Sequence, residues 1–476
     1  MDFGSPCFLT VAEAATQLRT RALSPVELTL SVLERIADTD DRVHAFATVQ
    51  RDDALRAAVE AEAAIGRGEY RGALHGIPIA LKDLYFTAGT PTEGGSQVLR
   101  GFVPTYDATV TRRLKEAGAV IVGKTVTHEF ASGLSTPATR NPWDLERVPG
   151  GSSAGSGAAV AAHSCLAAMG SDTGGSIRMP AALNGVVGLK PTYGRVSKYG
   201  VIPLSWSLDH CGPMTRTVED AALLLNAVAG HDHLDPTTVN EPVPDYTHTL
   251  HQNIRGLRIG VPRNYFFDGV HQPVKDAVAQ ALRLLESSGA ILVEVEVPYV
   301  EFALRVGLGI LVPEASSLHQ SWLRSRAADY LEGTRTRLEL GELLLATHYL
   351  RAQRARTIIK QTFREVFTAN RLDILATPTE PTSATKIDET TITFDDIGKE
   401  SYYSAFVRET IPFNVCGLPA LSVPCGFSPD PAAPPMGAGL PIGLQIVGRP
   451  FDESTILRVG VAYQAMTDWH LRRPAL

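Results

Sequence analysis

The sequence predicts an α/β layered fold built on one large sheet. Two observations predict it: short apolar runs alternate with helical stretches through most of the 476 residues, and no internal repeat of solenoid period interrupts them. The composition, 44 % hydrophobic and 20 % charged, is that of a globular chain with apolar surface for a sizeable core. Length alone, well above the usual ~100 to 150 residues of a domain, argues for two or three domains.

Residues 1–70 read as helical. Thr10 with Glu13, and Ser24 with Pro25 and Glu27, are capping-box starts, and Arg51 to Ile65 is rich in strong helix formers. From Gly76 the texture changes. Candidate strands are Ile77 to Leu81, Ala119 to Val122, Leu166 to Gly170, Leu257 to Val261, Ile291 to Val297, Ile374 to Ala376, Ala420 to Val423 and Ile442 to Val447. Helical stretches lie between them at Asp107 to Ala117, Ala158 to His163, Val274 to Ser287 and Thr357 to Phe367. Residues 230–254 and 426–441 are polar or Pro/Ala/Gly-rich, yet strand-like segments flank both, so they read as long surface loops within one sheet.

The formal net charge of −7, without runs of like charge, gives no footprint for nucleic acid or an anionic membrane. Cys7, Cys165, Cys211, Cys416 and Cys425 are odd in number, scattered and without metal-ligand spacing, which points to a reduced, cytoplasmic setting and no metal site. The start MDFGSPC has no secretory pattern. The most apolar segment, Gly157 to Gly170, falls short of the ~20 residues of a membrane span and reads as a buried helix leading into a strand.

Four stretches carry candidate chemistry. GAVIVGKT, Gly118 to Thr125, satisfies a phosphate-loop pattern, but the strand residues lie inside the pattern rather than before it, which argues against nucleotide binding. GGSSAGSG, residues 150–157, contains G-x-S-x-G centred on Ser153. A nucleophile elbow needs a strand running into the serine, and NPWDLERVPG is a loop. Helix-terminal amides after it remain available for an anion or oxyanion. GSDTGGSIRMP, Gly170 to Pro180, puts Ser176 after two glycines, a turn able to aim several amides at one point, with Asp172 and Arg178 placed to pair across it. No histidine stands in a recognisable triad pattern. Lys82, at the end of GIPIAL, is the alternative base if burial keeps its amine neutral.

GIPIALKD, PGGSSAGSG and GSDTGGSIRMPAALNGVVGLKPT together strongly resemble the amidase signature family. The resemblance runs the length of the chain and includes AGAVIVGKT with HEF, SLDHCGPMTRTVED, FNVCGLPALSVPCG and LPIGLQIVGRPFDE. It implies a single amidase domain over 1–476, with an N-terminal helical region (1–70), a signature core (76–225) and the remaining sheet, covering helices and entrance loops (226–476). It also implies a mixed central sheet of about eleven strands between helical layers. A Ser-cisSer-Lys triad carries over as Ser176 (nucleophile), Ser152 (the relay, after a cis Gly151–Ser152 bond) and Lys82 (base). The amides of Thr173, Gly174, Gly175 and Ser176 become the oxyanion hole, Ser132 a substrate contact, and Asp172, Arg178 and Ser153 supports. No cofactor or metal is implied; the partners are a small-molecule amide and, by family habit, a second copy of the chain.

One branch of the family is the glutamine-using subunit of a tRNA amidotransferase. Val407 falls where that branch has the aspartate that binds the glutamine amino group, and the segment after HEFASGLS lacks a polar insertion. A free ammonium would be costly to desolvate there. The expectation is therefore a stand-alone amidase with an apolar site for aryl or alkyl amides, and esters or carbamates as side activities. Glu129 to Thr136, Trp206 and the residues around Val407 are the candidate pocket lining, with Trp206 read equally well as core. An inactive binding relative would be expected to have lost one of Lys82, Ser152 and Ser176, and all three are present.

Overall fold

The computed structural model describes residues 4–133, 138–429 and 439–476. With strands numbered in chain order, its centre is an eleven-stranded sheet. Across the sheet the order is β1 (Phe46–Val49), β3 (Val120–Thr125), β2 (Pro78–Lys82), β4 (Ala167–Asp172), β6 (His210–Thr215), β5 (Val187–Lys190), β12 (Ala420–Ser428), β13 (Leu440–Gly448), β9 (Ile374–Pro378), β7 (Arg258–Pro262) and β8 (Ile291–Val295). A separate hairpin is formed by β10 (Thr391–Phe394) and β11 (Gly398–Ser401). The sheet is mixed: β2 is parallel to β3 and β4, and β7 to β8 and β9, while the other pairs are antiparallel.

Every strand expected from an apolar run is present. Five others were not expected: β1 lies inside the stretch read as helical, β5 is only four residues long, β6 (HCGPMT) carries a glycine and a proline that erase the strand signal, and the hairpin strands β10 and β11 are four residues each. Both capping boxes form. Thr10 Oγ1 accepts from Glu13 N–H at 3.1 Å while Glu13 accepts from Thr10 N–H at 2.8 Å, and Ser24 and Glu27 do the same for helix Pro25–Val43.

Ile374 and Ala376 belong to one buried apolar cluster and Leu375, between them, to another; Ile446 and Val447 split the same way. Successive strand side chains point to opposite faces, so at β9 and β13 the two clusters lie on opposite faces of the sheet, whereas consecutive residues of β2 (Ile79 to Leu81) and β3 (Val120 to Val122) all belong to the first cluster. One is covered by the N-terminal helices Val11–Arg19, Pro25–Val43 and Arg51–Gly66 with Gln272–Ser287, the other by Ala303–Arg326 and Ala346–Ala369.

The phosphate-loop pattern dissolves in this setting. Gly118 follows helix Thr109–Glu116, Val120–Val122 lie in β3, and buried Lys124 donates to Tyr85 O at 2.7 Å and Thr92 Oγ1 at 2.6 Å. Residues 230–254 form turns between helix Val218–Val228 and β7. In 426–441, β12 and β13 take the ends, and 430–438 lie outside the described residues.

Candidate active site

The parallel strands β2 and β4 end side by side on Lys82 and Asp172, and the carboxyl ends of strands are where α/β sheets present ligand sites. Beyond β4 the chain turns through residues 173–177 into helix Arg178–Asn184, while residues 149–153 lead into helix Ala154–Ala161. The second of these turns meets Lys82 through Ser152.

Lys82 is fully buried, and its Nζ donates to Ser152 Oγ at 2.7 Å and Ser171 Oγ at 2.9 Å. Burial pushes its pKa down to about 7, against the pull of the Asp172 and Asp209 carboxylates. From an ordinary value of about 10.4, fewer than about one lysine in a thousand is neutral at pH 7, whereas here the neutral fraction is roughly half. The Gly151–Ser152 peptide bond is cis.

Ser176 is the one partly exposed residue in the stretch from Ser171 to Leu183. Its carbonyl accepts from Ser153 N–H at 3.2 Å, which ties the two turns together. Among the described residues no hydrogen bond joins its hydroxyl to Ser152. Ser153, the centre of G-x-S-x-G, is buried and engaged: its Oγ accepts from Ser171 N–H and donates to Ser171 O, both at 3.2 Å.

Asp172 and Arg178 form a buried bidentate pair at 2.9 and 3.0 Å. Burial alone would raise the Asp172 pKa; the Arg178 charge and the hydrogen bonds outweigh it and hold the carboxylate ionised. Asp172 Oδ1 also accepts from Gly175 N–H at 2.8 Å. That sets Gly175 apart from Thr173, Gly174 and Ser176, whose N–H groups have no acceptor among the described residues. Gly175 has φ +139°, and a Cβ there would strike Thr410 Oγ1.

A narrow pocket of about 20 Å³ opens at Ser176, lined by Ser132, Thr173, Met179, Leu204, Arg337, Tyr403 and Val407. Arg337 lies over the Tyr403 ring and donates to Ser132 Oγ at 3.2 Å, with no carboxylate partner among the described residues. Of Glu129 to Thr136, residues 134–136 lie outside the described residues. Trp206 is 59 % exposed, so it is not a core residue. Neither ring nitrogen of buried His128, packed against Gly151, hydrogen-bonds a serine; burial pushes its pKa down to about 3. Among the described residues no three His, Cys, Asp or Glu side chains are grouped to hold a metal ion, and no helix is long and apolar enough to cross a membrane.

Sequence reasoning missed Ser171 and Arg337. Ser171 adjoins a residue singled out, and β-strand alternation places it on the face opposite Asp172. Arg337 had no local signal, since it reaches the pocket from a helix far along the chain.

A buried lysine on a serine hydroxyl, next to a glycine-rich turn with unengaged amides, defines a hydrolase acting on carbonyl compounds. The chain belongs to the amidase family and is an amide-hydrolysing enzyme: the family model named Amidase matches residues 27–457. It is 47 % identical over 469 residues to an amidase of Pseudomonas putida, covering 98 % of each chain. It is 46 % identical over 497 residues to a glutamyl-tRNA(Gln) amidotransferase subunit of Chloroflexus aggregans, again covering 98 % of each. The native peptide amidase of Stenotrophomonas maltophilia has a similar structure, with a TM-score of 0.84, 33 % identity and 98 % of each chain covered.

Proposed function

We propose that this enzyme hydrolyses the C–N bond of a small aryl or alkyl amide through an acyl-enzyme on Ser176, and that the whole chain works as one amidase unit. The observation that carries this reading is the contact of Lys82 Nζ with Ser152 Oγ at 2.7 Å, with burial lowering the amine's pKa to about 7 so that a neutral form is available near neutral pH. Neutral Lys82 takes the Ser152 proton as Ser152 takes that of Ser176, and Ser176 Oγ attacks the carbonyl carbon. The oxyanion forms against the N–H groups of Thr173, Gly174 and Ser176. The C–N bond then breaks, the proton returns through Ser152 to the leaving amine, and water releases the acid by the reverse relay. Asp172, Arg178 and Ser153 hold the two turns in register.

The stand-alone reading is supported by Val407, an apolar residue in the pocket, and by the absence of any carboxylate among the described residues that line it. An alignment of 497 residues with the amidotransferase relative, longer than this 476-residue chain, must also carry insertions that the 469-residue alignment with the Pseudomonas amidase need not. Arg337 favours a second reading, glutamine hydrolysis, because an unpaired guanidinium at the pocket suits an amino-acid carboxylate. Turnover of anilides, alkyl amides and glutamine by the purified chain separates the two. Hydrolysis of the simple amides is expected; turnover of glutamine alone, or only with added partner chains, would replace the first reading with the second.

A further inference from the structure

Beside the Ser176 pocket lies a second chamber of about 160 Å³, sharing Ala131, Thr173 and Leu204 with it. We propose that this chamber takes the amine half of the substrate, that the amine is aromatic, and that Trp206 is the residue that selects it; this rests on the amide-hydrolysing reading above.

Size decides which half of an aryl amide goes where. The pocket at Ser176 has about 20 Å³, room for roughly one water, whereas an apolar cavity of about 150 Å³ in another protein holds one benzene ring. A ring fits only the second chamber. Its apolar walls include Tyr199, Val201, Ile202, Trp206 and Leu234. The acids beside them are already engaged: Asp209 accepts from Thr173 Oγ1 at 2.6 Å and from the N–H groups of Leu204 and Ser205, and Asp235 from Lys198 N–H at 2.7 Å and Thr237. The one lysine in the lining, Lys198, is also engaged, its Nζ donating to Tyr193 Oη and to Trp206 O and lying over the Tyr193 ring, so the chamber offers its occupant mainly carbon beside charges that already have partners.

Proton bookkeeping fixes the side. The leaving amine must recover its proton from Ser152, and Ser152 shares Lys82 Nζ with Ser171, so the amine departs on the flank that Ser171 marks. Ser171, 2.9 Å from Lys82 Nζ, lines this chamber, and does not line the pocket at Ser176.

Trp206 stands on a turn that is tightly held. Ser205 Oγ and Ser207 Oγ donate to Glu314 at 2.6 and 2.7 Å, Ser207 N–H donates to it at 3.1 Å, and Arg356 donates to Ser207 O at 2.9 Å. Tyr193 Oη donates to Trp206 O at 2.9 Å. A fixed backbone thus carries a 59 % exposed indole at the chamber wall, a preorganised face for an aromatic ring.

Calorimetric titration with aniline tests this on the wild type, Ser176→Ala, Trp206→Ala and Trp206→Phe. Aniline should bind the wild type and Ser176→Ala alike, about ten-fold more weakly to Trp206→Ala, and within about three-fold of wild type to Trp206→Phe. Absence of binding to the wild type, or binding unchanged in Trp206→Ala, would overturn the proposal. In turnover, Trp206→Ala should raise KM for acetanilide several-fold more than for acetamide; an equal loss for both amides in a folded variant would also overturn it. Aniline binding needs no turnover, so the chamber assignment can fail while the hydrolase reading stands. Covalent labelling of Ser176 examines that reading separately.

Discussion

Two lysines end neighbouring parallel strands: Lys82 pairs with Thr125 and Leu81 with Lys124 across β2 and β3. Both side chains are fully buried. Burial lowers both pKa values, to about 8 for Lys124 and about 7 for Lys82. What separates them is the chemistry of their partners. Besides a threonine hydroxyl, Lys124 has a backbone carbonyl and, at 3.4 Å, the carboxylate of Asp83, two acceptor-only groups that favour a cation. Among the described residues Lys82 Nζ hydrogen-bonds only the hydroxyls of Ser152 and Ser171, groups that can pass a proton as well as accept one. Residue type and burial do not define a base; the immediate partner does.

The strongest way to break this comparison is to remove each amine. Lys82→Ala should lower kcat by about a thousand-fold or more while the protein stays folded. Lys124→Met leaves Asp83 buried without its cation and should cost about 3 kcal/mol in denaturant unfolding, with kcat per folded molecule retained. Lost activity in a stably folded Lys124→Met would mean the two roles are wrongly divided.

The Lys82 side of the comparison can also be read from pH. The folded-state pKa of Lys82, about 7, lies below the unfolded value of about 10.4. Between these values the unfolded chain binds more protons, so wild-type stability rises with pH across that window relative to Lys82→Met. Urea unfolding should therefore show Lys82→Met ahead of wild type at pH 7 and below, its lead shrinking toward about pH 10. A constant difference would place an ordinary, charged amine at Lys82. Smallest is Thr92→Val, which deletes one acceptor of Lys124 and should cost about 1 kcal/mol without changing kcat.

The two lysines also show what sequence can and cannot disclose. Lys82 was legible because an apolar strand carries it inward, and GKT misled only by pattern, since strand order already argued against a phosphate loop. Strands with apolar runs were visible; β5 and β6 were not, because one is four residues long and the other is broken by Gly212 and Pro213. The pairing of Asp172 with Arg178 could be foreseen from six-residue spacing across a turn. The engagement of the Gly175 amide by that same carboxylate could not, because it depends on the turn's three-dimensional path. Arg337 and Glu314 reach Ser132 and Ser205 from 205 and 109 residues away, and no local spacing encodes such contacts.

Activation of Ser176 by neutral Lys82 through Ser152 is the proposed step on which the chemistry turns. The direct measurement is the rate of covalent labelling by a serine-directed sulfonyl fluoride against pH, followed by intact mass. The account predicts one adduct on Ser176, forming faster as pH rises through about 7, abolished in Ser176→Ala, greatly slowed in Lys82→Ala and Ser152→Ala, and unchanged in folded Lys124→Met. An adduct that persists in Ser176→Ala, or a labelling rate indifferent to pH and to Lys82, would contradict it.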